Sequence, residues 1–250
     1  MPIDDKDGSS AERGGLIQVG GSKLRRGSLA QQLAVGILSG KWPEGHIFPG
    51  EIEYAEQLGI SRSVLREAFR ILAAKGLVDS RPKAGTRVAP RRHWSLLDPD
   101  LLAWQFGANP NEKFLRDLFE LRMMVEPDAA ALAATRRTKS EVGAMRKALT
   151  AMAEHGLATE AGRLADQQFH MVMLEATRND AVIALASSIM AAIAWTTIYK
   201  QRKRALARDP IPAHQALYET IAAADPVAAR AAMEELIRLA LDDTEMSLRD

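Results

Sequence analysis

No cysteine occurs in the 250 residues of the chain, which rules out a disulfide framework and thiolate metal sites. That composition suits a reducing cytoplasm, the location expected for this protein. Aromatic residues reach only 5% while Ala and Leu abound, a balance that favours helices over strands. Long apolar runs are missing too. Even "AVIALASSIMAAIAWTTIY" is interrupted by serines and threonines before the roughly 18 residues a membrane span needs, so no membrane association is expected. The opening "MPIDDKDGSSAERGG" is acidic and polar, unlike a signal peptide.

The formal net charge of +1 conceals a division of charge along the chain. Residues 21–92 hold 13 Lys and Arg against 6 Asp and Glu, whereas residues 93–250 hold 18 against 22. A basic part joined to a mildly acidic one implies that only the first approaches a polyanion.

Residues 1–22 are Gly/Ser/Asp-rich and aperiodic, and read as a disordered tail. In "GSLAQQLAVGILSG", Leu29, Leu33, Ile37 and Leu38 share one helical stripe. "KWPEGHIFPG" reads as a loop, "EIEYAEQLG" as a short helix, "GIS" as a turn and "RSVLREAFRILAAK" as a second helix ending at Gly76. Leu77–Val78 and Arg87–Val88 then flank a Pro/Lys/Gly tip, the pattern of a small hairpin. That order predicts a winged helix-turn-helix domain over 23–92. Beyond the linker "PRRHWSLLDPD" the periodicity is helical, near Asp98–Phe106, Glu112–Thr135, Ser140–Glu154, Thr159–Thr177, Ala181–Arg204, Pro212–Ala223 and Val227–Ser247. Pro127 predicts a kink in the second of these. The fold class is therefore mostly α, with an all-α bundle over 93–250.

At about 100° per residue, Arg62, Arg66 and Arg70 fall within a sector of roughly 80°, with Ser63 and Glu67 in the same half. Val64, Leu65, Ala68, Phe69, Ile71 and Leu72 fill the other half, and Ser61 is a natural N-cap. Such a row is either the solvated side of an amphipathic helix or a DNA-reading face. Its place as the second helix of a helix-turn-helix, ahead of a basic hairpin, favours the reading face.

The segment "SRSVLREAFRILAAKGLVDSRPKAGTRVAP" resembles the DNA-binding domain of GntR-family transcription regulators. The resemblance implies that Ser61, Arg62, Ser63, Arg66, Lys83 and Gly85 form the operator interface, with Gly85 at the wing tip. The family usually places an arginine ahead of the first helix of the motif, and here "PGEIEYA" puts Ile52 in that position.

The second half, through "ELRMMVEPDAAALAA", "DQQFHMVMLEATRND" and "HQALYETIAAADPVAARAAM", resembles the FCD effector domain of the FadR-type branch of that family. Asp166 and His170, at i and i+4, share a helical face. On spacing alone such a pair is either a surface hydrogen bond or, with His214 from another helix, a set of ligands for Zn²⁺, Ni²⁺ or Mn²⁺. The resemblance implies the metal, with zinc expected first. The family's fourth ligand, a histidine, falls at Leu236, which cannot ligate. The shell is then completed by water and effector, or rescued by Glu235, or the pocket is metal-free. Arg122 aligns with an arginine that points into the family's cavity and would grip an effector carboxylate. Its alternative is a surface salt bridge with Glu126 or Glu120. Trp195 and Tyr199, one turn apart, either cover the ligand or fill core.

The linker "VAPRRHWSLLDPDLLAW" resembles that of a family repressor controlling a sugar-acid operon, which implies a sugar-acid or related hydroxy-acid effector. The expected protein is thus a homodimeric repressor, bound to operator DNA in the nucleoid and released by a small carboxylate. A metal-free, acyl-CoA-responsive regulator is the alternative. A metal-dependent enzyme is the third class, and the absence of HExxH, GxSxG, a P-loop and a dinucleotide-binding glycine pattern argues against it.

Overall fold

A computed structural model describes residues 28–81, 85–108, 110–202 and 208–249. The expected tail over 1–22, Lys83 in the wing tip, and the end of the helix expected to reach Arg204 lie outside the described residues.

The N-terminal part begins with α1 (Leu29–Leu38), whose N-cap Ser28 accepts a hydrogen bond from the Gln31 amide. It continues with α2 (Glu51–Leu58) and α3 (Arg62–Ala74). Gly59 ends α2 in the left-handed conformation at φ 63°, which a side chain would resist, and Ser61 two residues later caps α3. This is the tight turn that sets one helix across the other. Strands β1 (Val78–Arg81) and β2 (Gly85–Val88) pair antiparallel, Val78 opposite Val88. The loop expected at 41–50 does more than connect. Ile47 bridges Arg87, the Phe48 amide donates to the Thr86 carbonyl, and the Val88 amide donates to that of His46. Residues 46–48 therefore line the second edge of β2. Prolines and glycines on either side hid this short extended run. Phe48 carries the chain inward, stacking with Tyr54 and Phe69 in the N-terminal core.

Helix α4 (Pro99–Gly107), capped by Asp98, joins the two halves. Leu101 completes the N-terminal core, while Leu102 and Phe106 pack with Phe114, Leu115 and Leu118. Lys75, just after α3, donates to Asp98 at 2.7 Å and to Asp100 at 2.8 Å, so the end of α3 is tied to the start of α4.

The remaining helices are α5 (Glu112–Arg136), α6 (Lys139–His155), α7 (Glu160–Ala176), α8 (Asp180–Ala184), α9 (Ala186–Lys200), α10 (Ile211–Ala222) and α11 (Pro226–Arg249). Thr138 and Glu141 close a capping box on α6. Where the sequence suggests one helix from 181 to 204, the chain makes α8 and α9. Leu185, bonded through its amide to the Val182 carbonyl three residues back, marks the break. Pro127 is buried inside α5 without ending it. Helices α5, α6, α7, α9, α10 and α11 enclose one apolar core rich in Ala and Met. No helix among the described residues is long and apolar enough to cross a membrane.

Candidate functional site

Two places hold polar side chains in arrangements that ordinary packing does not require: the outer face of α3 and a cavity inside the helical half.

On α3, Ser61, Arg62, Ser63 and Arg66 are all exposed, as is Gly85, which opens β2 at φ 76°. The Ser61 hydroxyl accepts from the Val64 amide and shares a 2.9 Å hydrogen bond with Ser63. Arg66 remains 70% exposed, with a loose 3.8 Å approach to Glu51. Arg70 differs, because its Nε and Nη2 close on Glu67 at 2.8 and 2.7 Å. The row is thus divided: Arg70 is closed on Glu67, while Arg66 makes only the loose contact with Glu51. Val64, on the apolar half, is not fully covered. It is 40% exposed in a shallow groove that it shares with Leu29 of α1 and Ile71. Ile52 is 56% exposed on α2.

The cavity, of about 50 Å³, is lined by α5, α7, α9, α10 and α11. At roughly 10–15 Å³ per water it holds a few waters or a small ligand group. Asp166 and His170 from α7 and His214 from α10 are buried and offer donor atoms within 4.8 Å of one another. Phe169 meets both imidazoles edge-on. His214 Nδ1 lies 2.9 Å from the Pro210 carbonyl, which fixes Nδ1 as the protonated nitrogen and turns Nε2 towards Asp166 Oδ1 at 3.1 Å. His170 places Nδ1 at 3.4 Å from Glu126 and Nε2 at 3.7 Å from Asp166.

Asp166 Oδ1, His214 Nε2 and His170 Nδ1 are all buried without a hydrogen bond. Asp166 Oδ1 and His214 Nε2, 3.1 Å apart and buried, call for a shared proton or a bound cation between them. The Pro210 carbonyl on the outer nitrogen of His214 is the kind of partner that orients metal-binding histidines. The residues present therefore fit a divalent ion held by Asp166, His170 and His214.

Arg122, on α5, lines the same cavity and donates from Nε to Glu126 at 2.6 Å. The salt bridge with Glu126 exists, but it is buried, and it leaves Nη1 without a hydrogen bond among the described residues. Burial alone would raise the Glu126 carboxyl, yet Arg122 and His170 beside it hold it down at about 2. Burial likewise works against the Asp166 carboxylate, and His214, His170 and Arg122 outweigh it, keeping its pKa below the usual range. Leu236 is buried on the cavity wall, and Glu235 faces solvent paired with Arg238 at 2.6 Å, which removes it as a substitute ligand.

Trp195 and Tyr199 do not line the cavity. Their rings pack on Phe106 of α4, at centroid distances of 6.3 and 6.1 Å. The face of α9 that reaches the cavity carries Ile193, Thr196, Thr197 and Lys200, spaced i, i+3, i+4 and i+7. Sequence reasoning passed over these residues. The signal was a polar Thr-Thr pair and a lysine at helical spacing in an otherwise apolar helix. Burial pushes the Lys200 ammonium down to about 8, with Asp243 opposing the shift.

Two family models match the chain: "Bacterial regulatory proteins, gntR family" over residues 25–88 and "FCD domain" over residues 117–239. The uncharacterised HTH-type transcriptional regulator YieP of Escherichia coli K12 is 33% identical over 215 residues, 84% of this chain and 91% of its own. The galactonate operon transcriptional repressor of the same organism is 34% identical over 153 residues, 61% of this chain and 67% of its own. The solved structure of Lar, described as controlling the agr system of Listeria monocytogenes, superposes with a TM-score of 0.59 at 15% identity. That superposition covers 90% of this chain and 99% of that one, a likeness of fold. The chain belongs to the GntR family of bacterial DNA-binding transcription regulators, which are not enzymes, in the branch that carries an FCD domain.

Proposed function

We propose that the protein is a homodimeric repressor of an operon for sugar-acid or related hydroxy-acid metabolism. In this reading residues 23–92 bind operator DNA and residues 93–250 bind a divalent metal, zinc first, together with the effector. The observation that carries it is the buried trio Asp166, His170 and His214, with ligand atoms left unbonded beside the inward-facing Arg122. A bound divalent ion supplies a Lewis-acidic point for the effector's carboxylate and α-hydroxyl. Arg122 Nη1 would take the carboxylate from the protein side, and Leu236 would offer the ion no ligand, leaving room for water and effector. The galactonate operon repressor among the relatives supports the sugar-acid class.

Release of DNA follows from continuity of packing. Helix α9 carries Thr196, Thr197 and Lys200 on its cavity side and Trp195 and Tyr199 against α4 on the other. Helix α4 in turn is tied to the end of α3 through Lys75. A ligand that displaces α9 thus biases the placement of the reading helix. Metal analysis of the purified protein, with gel shifts on its own promoter region, tests this. About one zinc per chain and loss of the shift with sugar acids is the expected result. Metal-free protein whose DNA binding ignores every acid contradicts it.

A further inference from the structure

Three cations stand on the cavity wall, and two of them have acidic partners. Arg122 is closed on Glu126 at 2.6 Å and Arg208 on Asp243 at 2.9 Å. Lys200 is different. It is only 9% exposed, it lines the cavity, and among the described residues no hydrogen bond or ion pair closes on its ammonium. Asp243 exerts the strongest attraction on it, but that carboxylate already receives Arg208 Nε. The segment 203–207, "KRALA", contributes no acid by sequence.

A cation that faces a cavity without an acid of its own is a place where a ligand can supply the counter-charge. Lys200 is also held in place for such a task. It is the last residue of α9, whose negative end favours a cation, and its carbonyl accepts the Ser247 hydroxyl of α11. One turn back, Thr197 lines the same cavity.

We propose that Lys200 sets the class of effector: it receives a second anionic group, so the cavity takes a hydroxy acid negative at both ends rather than a simple monocarboxylate. The inference rests on the hydroxy-acid reading of the cavity, in which Arg122 and the metal trio take the first carboxylate. Lys200 takes the second, and the Thr197 side chain lines the same cavity. The second anion is a carboxylate, as in an aldaric acid, or a phosphate, as in a phosphorylated sugar acid.

Isothermal titration of the full-length, zinc-supplemented protein with matched acids separates these outcomes. The pairs are threonate against tartrate and gluconate against glucarate, with 6-phosphogluconate as the phosphate arm. The expected result is dianion binding about tenfold or more tighter than the matched monoanion. Lys200→Met should weaken the preferred dianion by roughly thirtyfold or more and leave gluconate within about threefold, whereas Lys200→Arg keeps the preference. Whether glucarate or 6-phosphogluconate leads tells carboxylate from phosphate. Lys200→Gln, with thermal unfolding as a folding control, serves if the methionine variant does not fold. Equal affinity for mono- and dianions, or a preference that survives loss of the lysine, overturns the inference and leaves the hydroxy-acid reading standing. Failure of every acid to bind overturns both.

Discussion

Lys200 carries a cost that can be read without any ligand. Its folded-state pKa, about 8, lies below the ordinary lysine value of 10.5, so the unfolded chain binds the extra proton between those values. The penalty of burying the charge is fully present below pH 8 and disappears as pH rises through 10.5. At about 1.4 kcal/mol per unit it amounts to roughly 3 kcal/mol. Lys200→Met is therefore expected to stabilise the ligand-free protein at pH 7, with the advantage shrinking towards pH 10 in denaturant titrations. A gap independent of pH would show that the ammonium is solvated. Leu236 is the second informative residue, because it stands on the cavity wall where the family's resemblance places an imidazole. Leu236→His should tighten zinc binding by about tenfold or more in competition with a chelator. Unchanged affinity would place the ion elsewhere.

Among the elements, α3 was the most legible, since its amphipathic spacing, Ser61 cap and Gly59 turn are all local chemistry. The division of its arginines was only half legible. Arg70 and Glu67 stand three residues apart, but the sequence does not say that they bond to each other. Arg66→Ala is expected to cost about 1–3 kcal/mol of specific DNA affinity and Arg70→Ala little, measured by fluorescence anisotropy. Equal losses would make the row a plain electrostatic surface. Helix α9 was read less well. Trp195 and Tyr199 drew attention as aromatics, yet a turn of about 100° per residue sends them to α4 and brings Thr196, Thr197 and Lys200 inward. Which face of an apolar helix meets a cavity depends on its neighbours, and the sequence lacks that information. The same holds for Lys75, unremarkable in sequence and tied to Asp98 and Asp100 in the fold. Lys75→Met should reduce stability by about 1–3 kcal/mol. In gel shifts it should blunt the effector response while sparing DNA binding without effector. An intact response would remove this contact from the route between the halves.

At the scale of the molecule, the charge division along the chain agrees with the two family matches, a basic part that meets DNA and a mildly acidic helical part that holds the cavity. Composition and periodicity were enough for this because both act over many residues. The Asp166, His170 and His214 trio was legible as two residues on one face and one from afar. Its burial and unbonded atoms needed the fold. The central claim is that ligand and metal in that cavity decide whether α3 stays on DNA. The most direct measurement is the anisotropy of a labelled promoter fragment titrated with zinc-loaded and with chelator-stripped protein, each with and without hydroxy acids. The account predicts that an acid weakens DNA binding at least about tenfold for the zinc-loaded protein and has little effect on the stripped one. Equal release in both forms, or in neither, would contradict it.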